Sequence, residues 1–312
     1  MASSSFKTAD SQNKYEDLSG INTAAYANPY DALIEACHDD PKEIQTRYHT
    51  HRSTRNAQQK TSLTSPDFAG VIIDPILARL EDPTIEPGYI DPRNCLVFWA
   101  RPPQHIKDVV AGIQTKLKSF APNLWVMPVP NLHLTALEIT HSLTNPEIQA
   151  LIHDLGDEVI ATMTDYTHGH RSRLIKPTLS WDGAAVALSF VPAAGEFLHA
   201  GRTIDDDKYT YHHLRRDLFS IATQGSVKIN SRYVVPSSHI TLGRFVTQED
   251  HHGPEKMQRW IELLEAINED LQKKVWETPQ GEWIVGQEKG LVCREGTLWY
   301  GGGTEIRAGK GF

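Results

Sequence analysis

Two short runs of this chain share one pattern: Asn131-Leu-His133-Leu-Thr135-Ala-Leu137-Glu-Ile139 and Ser237-Ser-His239-Ile-Thr241-Leu-Gly-Arg244-Phe245. Each sets a histidine two residues before a threonine where apolar and polar residues alternate, the period of a half-buried β-strand. Residues i and i+2 of a strand project from one face, so each imidazole shares its face with a hydroxyl about 7 Å away along the backbone. Two copies point to a cleft holding two histidines and two hydroxyls, the minimum set for in-line chemistry at a phosphate without a metal.

Of the 15 histidines, four precede Ser or Thr by two positions: His51, His133, His170 and His239. The surroundings of His51 and His170 lack apolar alternation and read as polar loop or solvated helix surface. A single histidine on a sheet is usually a hydrogen-bonded core residue. The matched contexts of His133 and His239 are what favour a site.

Those contexts extend in both directions. Ahead of His133 come a β-rich run, Cys95-Leu-Val-Phe-Trp-Ala100, and a helical stripe of Ile106, Val109, Val110, Ile113, Leu117 and Phe120. After it, Asn145-Pro146 supplies an N-cap and first-turn proline for a helix carrying Ile148, Leu151, Ile152, Leu155 and Val159. The second half repeats the order. A strand at 184–191 leads to a helix with Leu214, Leu218 and Ile221, then the His239 strand, then a helix opened by Gly253-Pro254. We read a duplicated β-α-β-α unit, resting on element order rather than residue identity.

With its two His-x-Thr strands 106 residues apart, the chain resembles the two-histidine (2H) phosphoesterase superfamily, in particular its LigT-like branch of 2′-5′ RNA ligases and cyclic nucleotide phosphodiesterases. The resemblance covers about residues 90 to 303. It implies an α+β fold of two lobes of antiparallel sheet and helices, related by a pseudo-twofold axis with the motifs facing a central groove. It also implies that His133 and His239 are the catalytic pair and that Thr135 and Thr241 bind phosphate. The terminal run from Trp283 to Tyr300 is similar to the closing β-hairpin of that family, which makes Tyr300 a possible substrate-binding residue.

The chemistry follows from the residue types. Opening a 2′,3′-cyclic phosphodiester needs a base to take a proton from water and an acid to protonate the leaving ribose oxygen, and histidine suits both tasks near neutrality. Threonine hydroxyls aimed at the non-bridging oxygens lower the barrier as charge grows there. The sequence does not assign base and acid to the two rings. Arg244, three residues after Thr241, falls on the opposite strand face under strict alternation, so it reaches a phosphate only if the strand bends at Gly243. Arg215 and Arg216 read as surface charges on a helix.

No metal or other cofactor is expected. His168-Gly-His170, His212-His213 and His251-His252 lack a carboxylate or cysteine at a familiar metal spacing. There is no Gly-rich triphosphate loop, no nucleophile elbow supports a Ser-His-Asp or Cys-His arrangement, and Gly301-Gly-Gly303 reads as a turn. A net charge of −8 opposes binding of a long polyanion, leaving a nucleotide or short RNA end as the expected partner. Three scattered cysteines, no signal-peptide pattern and no membrane span make a cytoplasmic or nuclear monomer the expectation.

Residues 1–89 form an N-terminal extension to the bilobal domain at 90–312. Residues 1 to about 25 read as a disordered tail, 28–52 as one or two short helices broken near Pro41, and 50–66 as a linker. Whether the extension caps the cleft or binds a partner is open from sequence. The leading expectation is a metal-independent phosphodiesterase acting on a 2′,3′-cyclic phosphate or 2′-5′ linkage. Its rivals are a non-catalytic nucleotide- or RNA-end-binding module, a metal-dependent hydrolase, and a scaffold working through the extension.

Overall fold

The computed structural model describes residues 16–199 and 201–312. The expected tail therefore lies, over residues 1–15, outside the described residues. The rest is an α+β arrangement built on one antiparallel sheet. The strands are β1 (Asn94–Ala100), β2 (Trp125–Val126), β3 (Leu134–Leu143), β4 (Arg173–Trp181), β5 (Ala185–Pro192), β6 (Ser238–Arg244), β7 (Trp283–Ile284), β8 (Leu291–Gly296) and β9 (Thr304–Ala308). Their order is β7-β4-β5-β6-β3-β1-β8-β9, with β2 on β6.

Connectivity forces this sheet to curl. Six strand spacings separate β7 from β8, about 29 Å if flat. The seven-residue step from Ile284 to Leu291 reaches at most about 25 Å. The expected closing hairpin is accordingly corrected: β7 joins β4 at one end of the sheet, while β8 pairs with β1 and with β9 at the other.

The two His-x-Thr strands meet in the middle. β3 and β6 are joined at one pair, Leu134 with Ile240, the central residues of the two motifs. On either side of it the two halves of the sheet diverge, each repeating a hairpin-like neighbour, β1 for β3 and β5 for β6. The duplicated unit read from element order thus has its two halves meeting at this pair.

Helices cover the sheet. Those in the bilobal part are α4 (Gln104–Phe120), α5 (Asn145–Leu155), α6 (Asp157–Gly169), α7 (Tyr211–Ala222) and α8 (Pro254–Lys274). The helix expected from Asn145 through Val159 is split at Gly156, whose φ of 78° breaks the backbone path; its N-cap is Thr144, in a capping box with Glu147. In the extension, α1 (Asp31–Ala36) and α3 (Pro75–Glu81) flank the long α2 (Pro41–Leu63), capped by Asp40. The segment expected as a linker is therefore the second half of α2, which packs on β4, β5 and α8. Its buried stripe is Ile44, Tyr48, His51 and Arg52. Among the described residues, no helix is long and apolar enough to cross a membrane.

Candidate active site

Because Leu134 and Ile240 pair and both are buried, the flanking residues of each motif share the opposite face. Antiparallel pairing sets His133 across from Thr241 and Thr135 across from His239. The four line a single cleft. Neither threonine hydroxyl has a partner among the described residues, so both remain open to a ligand.

A bulge follows each motif. In β3, Trp99 and Val97 of β1 oppose Thr135 and Glu138, which inserts one extra residue just after the threonine. In β6, Ala187 and Ala185 of β5 oppose Thr241 and Arg244, with the extra residue in the same place. Such an insertion resets the alternation, so the residue three beyond each threonine joins its face. This is the bend the sequence required: Arg244 lines the cavity beside Thr241. Glu138 occupies the matching position in the other lobe. Gly243 is what lets β2 approach: a Cβ there would lie 2.7 Å from the Trp125 carbonyl oxygen.

The two imidazoles are held differently. His133 Nδ1–H donates to the Asn131 carbonyl at 2.7 Å, which leaves a bare Nε2 when the ring is neutral. Its ring stacks on Trp99, centroids 3.7 Å apart. Burial pushes the His133 pKa down to about 3; the carbonyl opposes this and Arg101 adds to it. Arg101 Nη1 donates to that same carbonyl at 3.1 Å. His239 Nδ1 instead lies 2.9 Å from the Ser237 hydroxyl. Its pKa is pushed down to about 4, first by burial and then by Arg55 and Arg215.

Around the motifs the structure adds residues that sequence reasoning did not single out. Tyr233, Trp299 and Arg232 line the cavity. Arg232 pairs with Glu138 at 2.6 Å and lies 4.0 Å over the Trp299 ring. The usable signal was Glu138 itself, at the same offset from Thr135 as Arg244 from Thr241. Tyr300 sits behind Arg244, its hydroxyl donating to Asp74 at 2.8 Å and accepting from Arg93 at 3.1 Å; its neighbour Trp299 is the ring in the cavity. Arg244 Nη1 is 3.8 Å from Asp74.

Two other expectations change. His51 is buried, not solvated, and its Nδ1 accepts from the Leu18 N–H. Arg215 is also buried: it lies one turn after Tyr211 on the inner stripe of α7, stacks on Tyr30 at 4.5 Å, and donates to the Val235 carbonyl at 2.9 Å, two residues ahead of Ser237. His170 is exposed and stacked on Tyr166. Among the described residues, no group of three or more His, Cys, Asp or Glu is placed to hold a metal ion.

No protein-family model and no curated protein matches the chain. Solved structures similar to it include a conserved protein of unknown function, ATU0111, from Agrobacterium tumefaciens strain C58, 17% identical with a TM-score of 0.43, covering 71% of this chain and 88% of that one. TT0787 of Thermus thermophilus is 16% identical with a TM-score of 0.39, covering 70% and 98%.

Proposed function

We propose that the chain is a metal-independent phosphodiesterase that opens a 2′,3′-cyclic phosphate or cleaves a 2′-5′ phosphodiester of a nucleotide or RNA end. The observation that carries this reading is the convergence of two His-x-Thr pairs on one face, about one inter-strand pair, in one cavity.

In this reading phosphorus sits between the two rings. His133 is the base, because its Nδ1 proton is committed to a carbonyl and Nε2 is free to accept from water. Water oxygen bonds to phosphorus as the bond to one ribose oxygen breaks. His239 is the acid: beside the anionic phosphate it acts as the imidazolium, its Nδ1–H donating to the Ser237 hydroxyl and its Nε2 proton passing to the leaving oxygen, which leaves a neutral ring. Thr135, Thr241 and Arg244 hold the non-bridging oxygens as charge builds there. The product is a ribose monophosphate, and solvent exchange resets both rings.

The test is turnover of a panel of nucleoside 2′,3′-cyclic phosphates and 2′-5′ dinucleotides in EDTA. His133→Ala and His239→Ala each lower the rate by roughly 10²–10⁴-fold. Full activity in either variant refutes the assignment. Activity abolished by EDTA and restored by a divalent ion favours a metal-dependent hydrolase, and binding of a nucleoside 2′-phosphate without turnover favours a binding module.

A further inference from the structure

The cleft has a second chamber. From the His-x-Thr cavity, the cleft continues over β4, β5 and β6 beneath α2, sharing His239, Thr241 and Arg244 with the first. Small residues make the room: Ser180, Ala185, Ala187 and Ser189 present almost no side chain to the helix above. The N-terminal extension is thus part of the cleft wall.

Two groups in that wall have unmet hydrogen-bonding capacity. Arg52 of α2 is 5% exposed and lies within ion-pair distance of no carboxylate among the described residues. Its Nη1 donates to the Lys176 and Ser189 carbonyls at 2.8 and 3.4 Å, and its Nη2 has no partner. Trp181 is 4% exposed and its indole N–H likewise lacks an acceptor. Both line the chamber. By contrast, the buried Arg93 and Arg173 are matched by Asp91 and by Asp207 with Glu282. A desolvated guanidinium met only by two carbonyls and, 6.0 Å away, the face of the Trp276 ring, beside an orphan N–H, is costly unless an oxyanion completes it. Desolvation alone pushes the Arg52 pKa down to about 9. Position links it to the chemistry, since Ser189 is the cross-strand partner of His239.

We propose that the chamber beneath α2 binds a second phosphate group of the substrate through Arg52, with Trp181 contributing an N–H. This rests on the phosphodiesterase reading and narrows it: the preferred substrate carries a second phosphate close to the one under attack. That group is either a 5′-phosphate on the same nucleoside or the internucleotide phosphate of a short RNA end.

The test compares three substrates of the full-length protein in EDTA: a nucleoside 2′,3′-cyclic phosphate, the same compound with a 5′-phosphate, and a dinucleotide ending in the cyclic phosphate. Turnover of the first reports on the phosphodiesterase reading by itself. For at least one of the other two, kcat/KM exceeds that of the first by roughly 10- to 100-fold, the worth of one charge-assisted hydrogen bond, and the favoured one identifies the source. Arg52→Gln brings that ratio close to one, and Arg52→Lys, which keeps the charge, retains part of it. Wild-type ratios near one, or an unchanged ratio in an Arg52→Gln protein that melts like wild type, overturn the proposal. Should Arg52→Gln not fold, the wild-type ratios and Arg52→Lys decide. If no cyclic phosphate is turned over, calorimetry of a nucleoside 2′-phosphate against its 2′,5′-bisphosphate reads the same preference: tighter bisphosphate binding supports the subsite, and equal affinities overturn it.

Discussion

Arg101 offers a way to move the proposed base without touching it. Its Nη1 donates to the Asn131 carbonyl that also accepts the His133 Nδ1–H, so charge and ring are no more than about 6 Å apart. At an effective dielectric of about 20, a unit charge at that distance is worth about 3 kcal/mol, or about two pH units; the part exposure of Arg101 roughly halves this. The sign follows from the base role. His133 must be neutral to accept a proton, burial and Arg101 hold its pKa down to about 3, and so activity persists well below neutrality. In Arg101→Met the cation is gone, the ring protonates more readily, and kcat/KM falls earlier on acidification. The acid limb of kcat/KM against pH therefore moves up by about one pH unit, with the plateau at higher pH much less affected. Nitrogen-15 NMR of His133 should show the same displacement in its titration. An acid limb that stays put while the variant remains folded refutes both the coupling and the assignment of that limb to His133.

Three further outcomes are expected. Gly243→Ala drives a Cβ against the Trp125 carbonyl, costing about 1–3 kcal/mol; the melting temperature drops by several degrees and kcat/KM falls as Arg244 is displaced, and an unchanged melt contradicts the packing argument. His212 and His251, each 1% exposed and pushed by burial down to about 3 and about 4, have folded-state pKa values below the unfolded value. They contribute stability that is complete above pH 6.5 and lost as pH falls toward 4, at up to about 1.4 kcal/mol per pH unit each, which urea midpoints at pH 7, 6 and 5 will track. Ser237→Ala removes the hydroxyl beside His239 Nδ1 and lowers kcat by about 10-fold with little change in KM; equal loss in both parameters would instead point to a binding role.

The strands bearing the site were legible because an alternating pattern survives wherever one face is buried, and His133 and His239 sit in such runs. Other parts carried misleading signals. β4 contains Lys176 and Pro177, and a proline argues against a strand; the chain accommodates it at a register shift where Lys176 takes a φ of 55°. α2 hid its inner face by building it from Tyr48, His51 and Arg52 as much as from aliphatic residues, so no apolar period appears. Arg215 was misplaced for a related reason, since a charge on an inner stripe is recognisable only once Tyr30 and the Val235 carbonyl are seen to receive it. The bulges after Thr135 and Thr241 involve nothing unusual in composition, yet they decide that Glu138 and Arg244 face the cavity.

Near-symmetry about the Leu134 and Ile240 pair poses a chemical problem. Two equivalent imidazoles would have the same affinity for a proton, and neither would be set as donor or acceptor. The structure breaks the equivalence at three places. Nδ1 meets a carbonyl in His133, which can only accept, and a hydroxyl in His239, which can also donate. The ring of His133 is stacked on Trp99, whereas that of His239 is 5.9 Å from Tyr233 and tilted. Beyond the threonines stand Glu138, paired with Arg232, and Arg244, which lines the cavity with its Nη1 3.8 Å from Asp74. The first of these differences leaves a bare Nε2 on the neutral ring in the first lobe and gives the second ring a hydroxyl that can serve as acceptor or donor. In the proposed mechanism, attack from the His133 side with departure toward His239 rests on that difference between the two rings rather than on the fold the lobes share.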